Sequence, residues 1–117
     1  MLVLCYPKCT TCQKAKKWLQ ENGFNFQERD IKTDNPTVAE LKEWLAKSGL
    51  PLKRFFNTSG LQYKNLKLKD KLPTMGEEEQ FALLATDGML VKRPILVKKN
   101  IVLVGFKVAE WQEKLQV

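Results

Sequence analysis

Two cysteines three residues apart stand in the stretch Tyr6-Pro7-Lys8-Cys9-Thr10-Thr11-Cys12-Gln13-Lys14, between a short apolar run and a segment of helical periodicity. A thiol at a helix N-terminus meets unpaired backbone N–H groups and the positive end of the macrodipole, and both favour its anion. Cys9 is therefore the expected nucleophile and the more acidic thiol. With a helix starting near Thr10, Cys12 falls one turn along the same face, where it can attack a mixed disulfide formed at Cys9. The layout is that of a redox pair. Spacing alone leaves two alternatives open, a pair of inert thiols and half of a zinc site, although only Cys5 and carboxylates remain to complete the latter. Cys5 itself alternates within an apolar strand and reads as a small buried hydrophobe. Lys8 lies inside the loop, placed to stabilise a Cys9 thiolate or a glutathione carboxylate.

The elements that must hold this loop follow from the apolar pattern. Leu2-Val3-Leu4-Cys5-Tyr6 is a nearly continuous apolar run, as in a strand covered on both faces and central in its sheet. From Thr10 onward Ala15, Trp18 and Leu19 keep helical spacing while Lys14, Lys16, Lys17 and Gln20 face water, up to a stop at Gly23. Residues 25 to 31 read as a second strand. Thr37-Val38-Ala39-Glu40 is a capping box, followed by the apolar stripe Leu41, Trp44, Leu45 and a stop at Gly49. A short helix over 52 to 56 is anchored by Phe55 and Phe56 and ended by the turn Asn57-Thr58-Ser59-Gly60. Tyr63, Leu66, Leu68 and Leu72 recur at loose helical spacing. Thr74-Met75-Gly76-Glu77 reads as a second capping box, with Phe81, Leu83 and Leu84 inward and an end at Asp87-Gly88. Two strands, 94 to 97 and 101 to 104, precede a helix with Ala109, Trp111 and Leu115 inward. All three tryptophans fall on apolar stripes and read as core, so nothing here points to base stacking on nucleic acid.

This order gives an α/β fold: a mixed sheet of four strands flanked by helices, with a parallel first pair and a late antiparallel hairpin. The expected organisation is a single domain over 1–117, with a core of about 1–36 and 89–117 and a helical insertion subdomain of about 37–88. The 117 residues, 44% hydrophobic, supply a sizeable core. A formal net charge of +7 favours anionic partners. The absence of histidine removes His-based acid/base catalysis and nearly all zinc enzymes. No apolar run has transmembrane length, and the N-terminal residues lack a basic segment and a cleavage site, so a cytoplasmic protein is expected. In a reducing compartment a CxxC is redox-active or metal-binding.

The segments Tyr-Pro-Lys-Cys-Thr-Thr-Cys-Gln-Lys-Ala, Phe-Phe-Asn-Thr-Ser-Gly and Asp-Gly-Met-Leu-Val-Lys-Arg-Pro-Ile-Leu-Val together resemble the arsenate reductase (ArsC)/Spx family, across essentially the whole chain. That resemblance implies a thioredoxin-like fold, Cys9 as nucleophile, Arg93 binding the anionic substrate beside it, and a cis Pro94. Lys8, Thr10, Thr11, Asn57, Pro94 and Lys107 complete the candidate substrate-binding set, and no metal is implied. Glutaredoxin-coupled members carry arginine where Asn57 stands and another where Phe106-Lys107 stands, and serine in place of Cys12. The CxxC matches the Spx/YusI-like branch instead. The implied function is a thiol-dependent reductase, arsenate reductase-like or acting on disulfides. It would have no bound cofactor and would take electrons from glutathione, thioredoxin or glutaredoxin. The alternative is an Spx-like redox-sensing regulator that binds the RNA polymerase α subunit, in a group whose members run on into a longer C-terminal tail.

Overall fold

The computed structural model describes residues 1–117. Strand β1 (Leu2–Cys5) leads through the cysteine loop to α1 (Thr10–Glu21) and then to β2 (Gln27–Asp30). Helices α2 (Val38–Ser48), α3 (Leu61–Asn65), α4 (Leu68–Lys71) and α5 (Glu77–Leu84) follow, with single 3-10 turns at Leu52–Phe55, Leu72–Thr74 and Gly88–Leu90. Strands β3 (Ile95–Lys98) and β4 (Ile101–Val104) and helix α6 (Val108–Leu115) close the chain. The sheet order is β2-β1-β3-β4, with β1 parallel to β2 and antiparallel to β3, and β3 antiparallel to β4. This is the thioredoxin-like arrangement. No helix is long and apolar enough to cross a membrane.

The period of two in the strands divides the core into two faces. Leu4, Ile95, Val102 and Val104 point to one side, where they join Ile31, Leu41, Trp44, Phe55, Phe56, Phe81, Leu84 and Leu90. Val3, Cys5, Leu96 and Leu103 point to the other, against Cys12, Ala15 and Leu19 of α1 and Trp111 and Leu115 of α6. β1 sits between β2 and β3 and is covered on both sides, so its apolar run does not alternate with polar residues. Edge strand β2 is polar, Gln-Glu-Arg-Asp, and Lys16 of α1 reaches its Glu28 at 2.9 Å. Charged side chains on such an edge discourage further strand pairing.

Local chemistry sets most of the element ends. Helix α1 stops in a Schellman pattern, with Phe24 N–H donating to Leu19 O at 2.9 Å and Gly23 N–H to Gln20 O at 3.1 Å, while Gly23 takes φ +78°. The α2 capping box forms as expected: Glu40 N–H donates to Thr37 Oγ1 at 3.1 Å and Thr37 N–H to Glu40 Oε1 at 3.0 Å. The second capping box does not form. Gly76 is the N-cap of α5, and Thr74 Oγ1 donates instead to Lys71 O at 2.8 Å, closing the preceding 3-10 turn. The segment with loose helical spacing is two short helices, because Lys67 adopts φ +54° between them and leaves Leu66 exposed. Helix α5 ends at Leu84, and Asp87 accepts from Met89 N–H at 2.9 Å to start a further turn. There Gly88 lies so close to Ile31 that a Cβ would run into its carbonyl oxygen. Ala109 faces solvent, and α6 is buried through Trp111 and Leu115 alone. Trp44 and Trp111 are core, whereas Trp18 is half-buried against Phe24, Phe106 and Trp111.

Candidate functional site

The loop between β1 and α1 is a tight turn, with Cys9 N–H donating to Tyr6 O at 2.9 Å and the Gln13 side-chain amide to Pro7 O at 3.0 Å. Cys9 is the N-cap of α1, with extended backbone and no side-chain capping bond. A cysteine caps poorly, so the first-turn N–H groups remain available to an anion at its sulfur. Cys9 is half-buried, Cys12 fully buried, and all three cysteines are free thiols.

The ionisation of the buried thiol is set by its neighbours. The surroundings of Cys12 lower its pKa to about 6. The largest cause is a hydrogen bond from Cys5, opposed by burial and assisted by the Tyr6 N–H, by Cys9 and by the charge of Arg93. Cys5 is pushed up by the same contact and by its burial, so it holds the proton that it donates. Donors from β1 and from the loop thus converge on Cys12 and favour its anion. Cys5, expected to be only a small hydrophobe, is thus part of the thiol network; its alternation in β1 marked it as buried but could not show what it faces.

A cleft of about 640 Å³ opens over Cys9, and Thr11, Asn57, Arg93 and Lys107 line it too. Lys8 and Thr10 are exposed outside it, and Cys12 and Pro94 are buried and do not line it. The Arg93–Pro94 peptide is cis, as the resemblance implied. Arg93 is held over the Tyr6 ring at 5.4 Å, with only long 3.5 Å contacts to the carbonyls of Met89 and Val91. Its Nε is buried without a hydrogen-bond partner. An unsatisfied buried guanidinium nitrogen costs free energy that an anion in the cleft would recover. Asn57, 8% exposed, folds over its own turn, accepting from Ser59 Oγ at 3.3 Å and packing on Gly60. Arg54, Ser59 and Lys92 also line the cleft and were not read from the sequence. Their only signals were adjacency, Arg54 beside the Phe55-Phe56 anchor and Lys92 beside Arg93.

The ArsC family model matches residues 4–114. The chain belongs to the ArsC family. Its relatives include YusI of Bacillus subtilis (strain 168), 54% identical over 108 residues that cover 92% of each chain. The global transcriptional regulator Spx of Staphylococcus haemolyticus (strain JCSC1435) is 31% identical over 101 residues, 86% of this chain and 75% of Spx. The crystal structure of an ArsC family related protein from Bacteroides fragilis superposes with a TM-score of 0.93 at 64% identity, covering 96% of this chain and 94% of the other. Within this ArsC-family chain no group of three or more His, Cys, Asp or Glu side chains comes together as a metal site.

Proposed function

We propose that the protein is a thiol-dependent reductase acting on a small disulfide. The observation that carries this reading is the half-buried Cys9 in a cationic cleft, with an acidified Cys12 hydrogen-bonded behind it. Cys9 attacks one sulfur of the substrate, and its proton passes to the Cys12 thiolate that already accepts its hydrogen bond. The S–S bond of the substrate breaks, and the leaving thiolate takes that proton from Cys12. The renewed Cys12 thiolate then attacks Cys9 Sγ in the mixed disulfide, expelling the second half of the substrate as a thiolate. Two electrons pass from the cysteine pair to the substrate, and the pair ends as a disulfide. Arg93 stabilises the anions in both steps. An external thiol donor, glutathione or a thioredoxin-type protein, returns the pair to the dithiol.

Arsenate is the weaker candidate, since Asn57 and Phe106 stand where the family's arsenate reducers carry arginine, and the Asn57 side chain is engaged in its own turn. Pre-reduced protein mixed with a disulfide should release two substrate thiols per chain and finish with a Cys9–Cys12 disulfide. Cys9→Ser should lower the rate by roughly 10⁴-fold or more, the scale of losing a catalytic nucleophile. Equal rates for wild type and Cys9→Ser would overturn the reading. The likeness to Spx supports a second reading, in which the same pair is a switch that alters affinity for RNA polymerase. Polymerase α subunit retained by the oxidised but not the reduced protein, without disulfide turnover, would favour it.

A further inference from the structure

The cationic surface continues past the thiol. Arg54, Lys92, Arg93 and Lys107 line the cleft with no acidic side chain among them, and none takes part in an ion pair. A second hollow of about 360 Å³ shares Arg54 and Lys92 and adds Lys53, Phe56 and Thr58. The groove therefore runs from Cys9 and Arg93 out to Lys53. Its two walls are clamped together: Phe56 bridges Val91, Lys92 N–H donates to Phe55 O at 2.8 Å, and Asn57 N–H to Leu90 O at 2.8 Å. The stem of Lys92 lies over Gly105, where a Cβ would sit 3.4 Å from its Cε. The fold thus holds like charges side by side without internal counter-ions, an arrangement whose repulsion a multiply charged anion relieves.

We infer that Arg54 and Lys92 form a second anion subsite, so that the substrate is a small disulfide whose thiol halves each carry at least two carboxylates. This rests on the reductase reading. One carboxylate meets Arg93 and Lys107 beside the reacting sulfur, and the next reaches Arg54 and Lys92 farther along the groove. The chemistry at Cys9 is unchanged: the substrate S–S bond accepts two electrons from the Cys9 and Cys12 thiols and leaves as two carboxylate-bearing thiols.

The test is a single-turnover experiment with pre-reduced protein, which needs no added reductant. The probes are glutathione disulfide, with two carboxylates in each half, and the neutral bis(2-hydroxyethyl) disulfide. The readout is the ratio of their apparent second-order rate constants in wild type, in Arg54→Gln/Lys92→Gln and in the charge-matched control Lys64→Gln/Lys67→Gln. Loss of two ion pairs of middling to high usual strength is about tenfold. The expected result is a drop of that size in the glutathione-to-neutral ratio for Arg54→Gln/Lys92→Gln alone, removed by high salt. An unchanged ratio, or an equal drop in the control, would overturn the subsite. Should no disulfide react with the wild type, the reductase reading fails, and the subsite is then judged by titrating Cys9→Ser with S-methylglutathione by NMR. Shifts at the Arg54 and Lys92 amides that vanish in Arg54→Gln/Lys92→Gln uphold it, and no shifts overturn it.

Discussion

The two faces of the sheet do different work. One is a small core of nine buried residues in which α1 and α6 enclose Cys5 and Cys12, and its polarity is confined to sulfur and to the Trp111 indole N–H, which donates to Gly105 O at 3.0 Å. The other is a core of seventeen buried residues, hydrocarbon and aromatic apart from the Tyr63 phenol and the Trp44 indole N–H, assembled from segments far apart in the chain. The small face supplies the Cys5 contact that is the largest cause of the lowered Cys12 pKa; the large face carries the segments 52–60 and 88–93 that bring cations to the cleft. The lowered Cys12 pKa depends chiefly on a contact of a few ångströms with Cys5 across the strand and helix, whereas an anion groove needs only charges held at a distance by a rigid support. The first can be tuned by one side chain, and the second only by moving or removing charges.

The comparison breaks most severely at Trp111. This indole is fully buried on the small face, in edge contact with Phe106 at 4.9 Å and Trp18 at 6.1 Å between ring centroids. Trp111→Ala should cost about 3–5 kcal/mol of stability. Leu84→Ala, on the larger face, falls in a range of about 2–5 kcal/mol. Chemical denaturation of both variants measures the costs, and the small face being the less tolerant is the expected outcome. A smaller loss at Trp111 than at Leu84 would mean that α6 is not the support of the thiol site.

A sharper division comes from Cys5. Because its S–H is the main donor to Cys12, Cys5→Ala should raise the Cys12 pKa from about 6 by about one unit or more, while Cys5→Ser, which keeps a donor, should leave it low. Thiolate absorbance followed against pH reads the midpoint directly. The rate of disulfide exchange should rise with pH through the same midpoint in each protein. Identical midpoints in wild type and Cys5→Ala would leave Arg93 and the loop N–H groups as the source of the acidity.

The smallest effect belongs to the large face and its border. Arg29 of β2 holds Glu40 of α2 through two hydrogen bonds, 2.7 and 2.9 Å, and also donates to the carbonyls of Asp34 and Asn35. The Arg29 guanidinium, with the Thr37 N–H, depresses the Glu40 pKa to about 2. A carboxyl depressed on folding contributes stability above its unfolded value near 4.5, and that stability is lost as pH falls through about 2. For a half-buried pair still open to solvent at Glu40, about 1 kcal/mol is expected. Glu40→Gln should therefore lower the denaturation midpoint at pH 7, with the difference from wild type vanishing near pH 2. The thiol midpoint on the opposite face should not move.

Sequence by itself determined the parts of this protein that depend on neighbours in the chain. β1, α1 and the CxxC between them, the Thr37 capping box, the Gly23 and Gly49 stops and the closing hairpin are all set by local periodicity, capping and turn chemistry. The resemblance carried by three short motifs added the cis Arg93–Pro94 peptide. Where local signals were weak or doubled, tertiary packing decided. Thr74 had a rival partner in Lys71 O, Lys67 broke a helix whose spacing was only loose, and Ala109 lies on the solvent side of α6 while Trp111 and Leu115 take the buried side. Only the folded chain could set Cys5 against Cys12, since strand alternation tells which face a side chain takes and not what waits there. Only the folded chain could also bring Arg54 beside Lys92, because that meeting depends on a strand bridge between Phe56 and Val91, thirty-five positions apart, and a long-range backbone pairing leaves no periodic trace in the sequence.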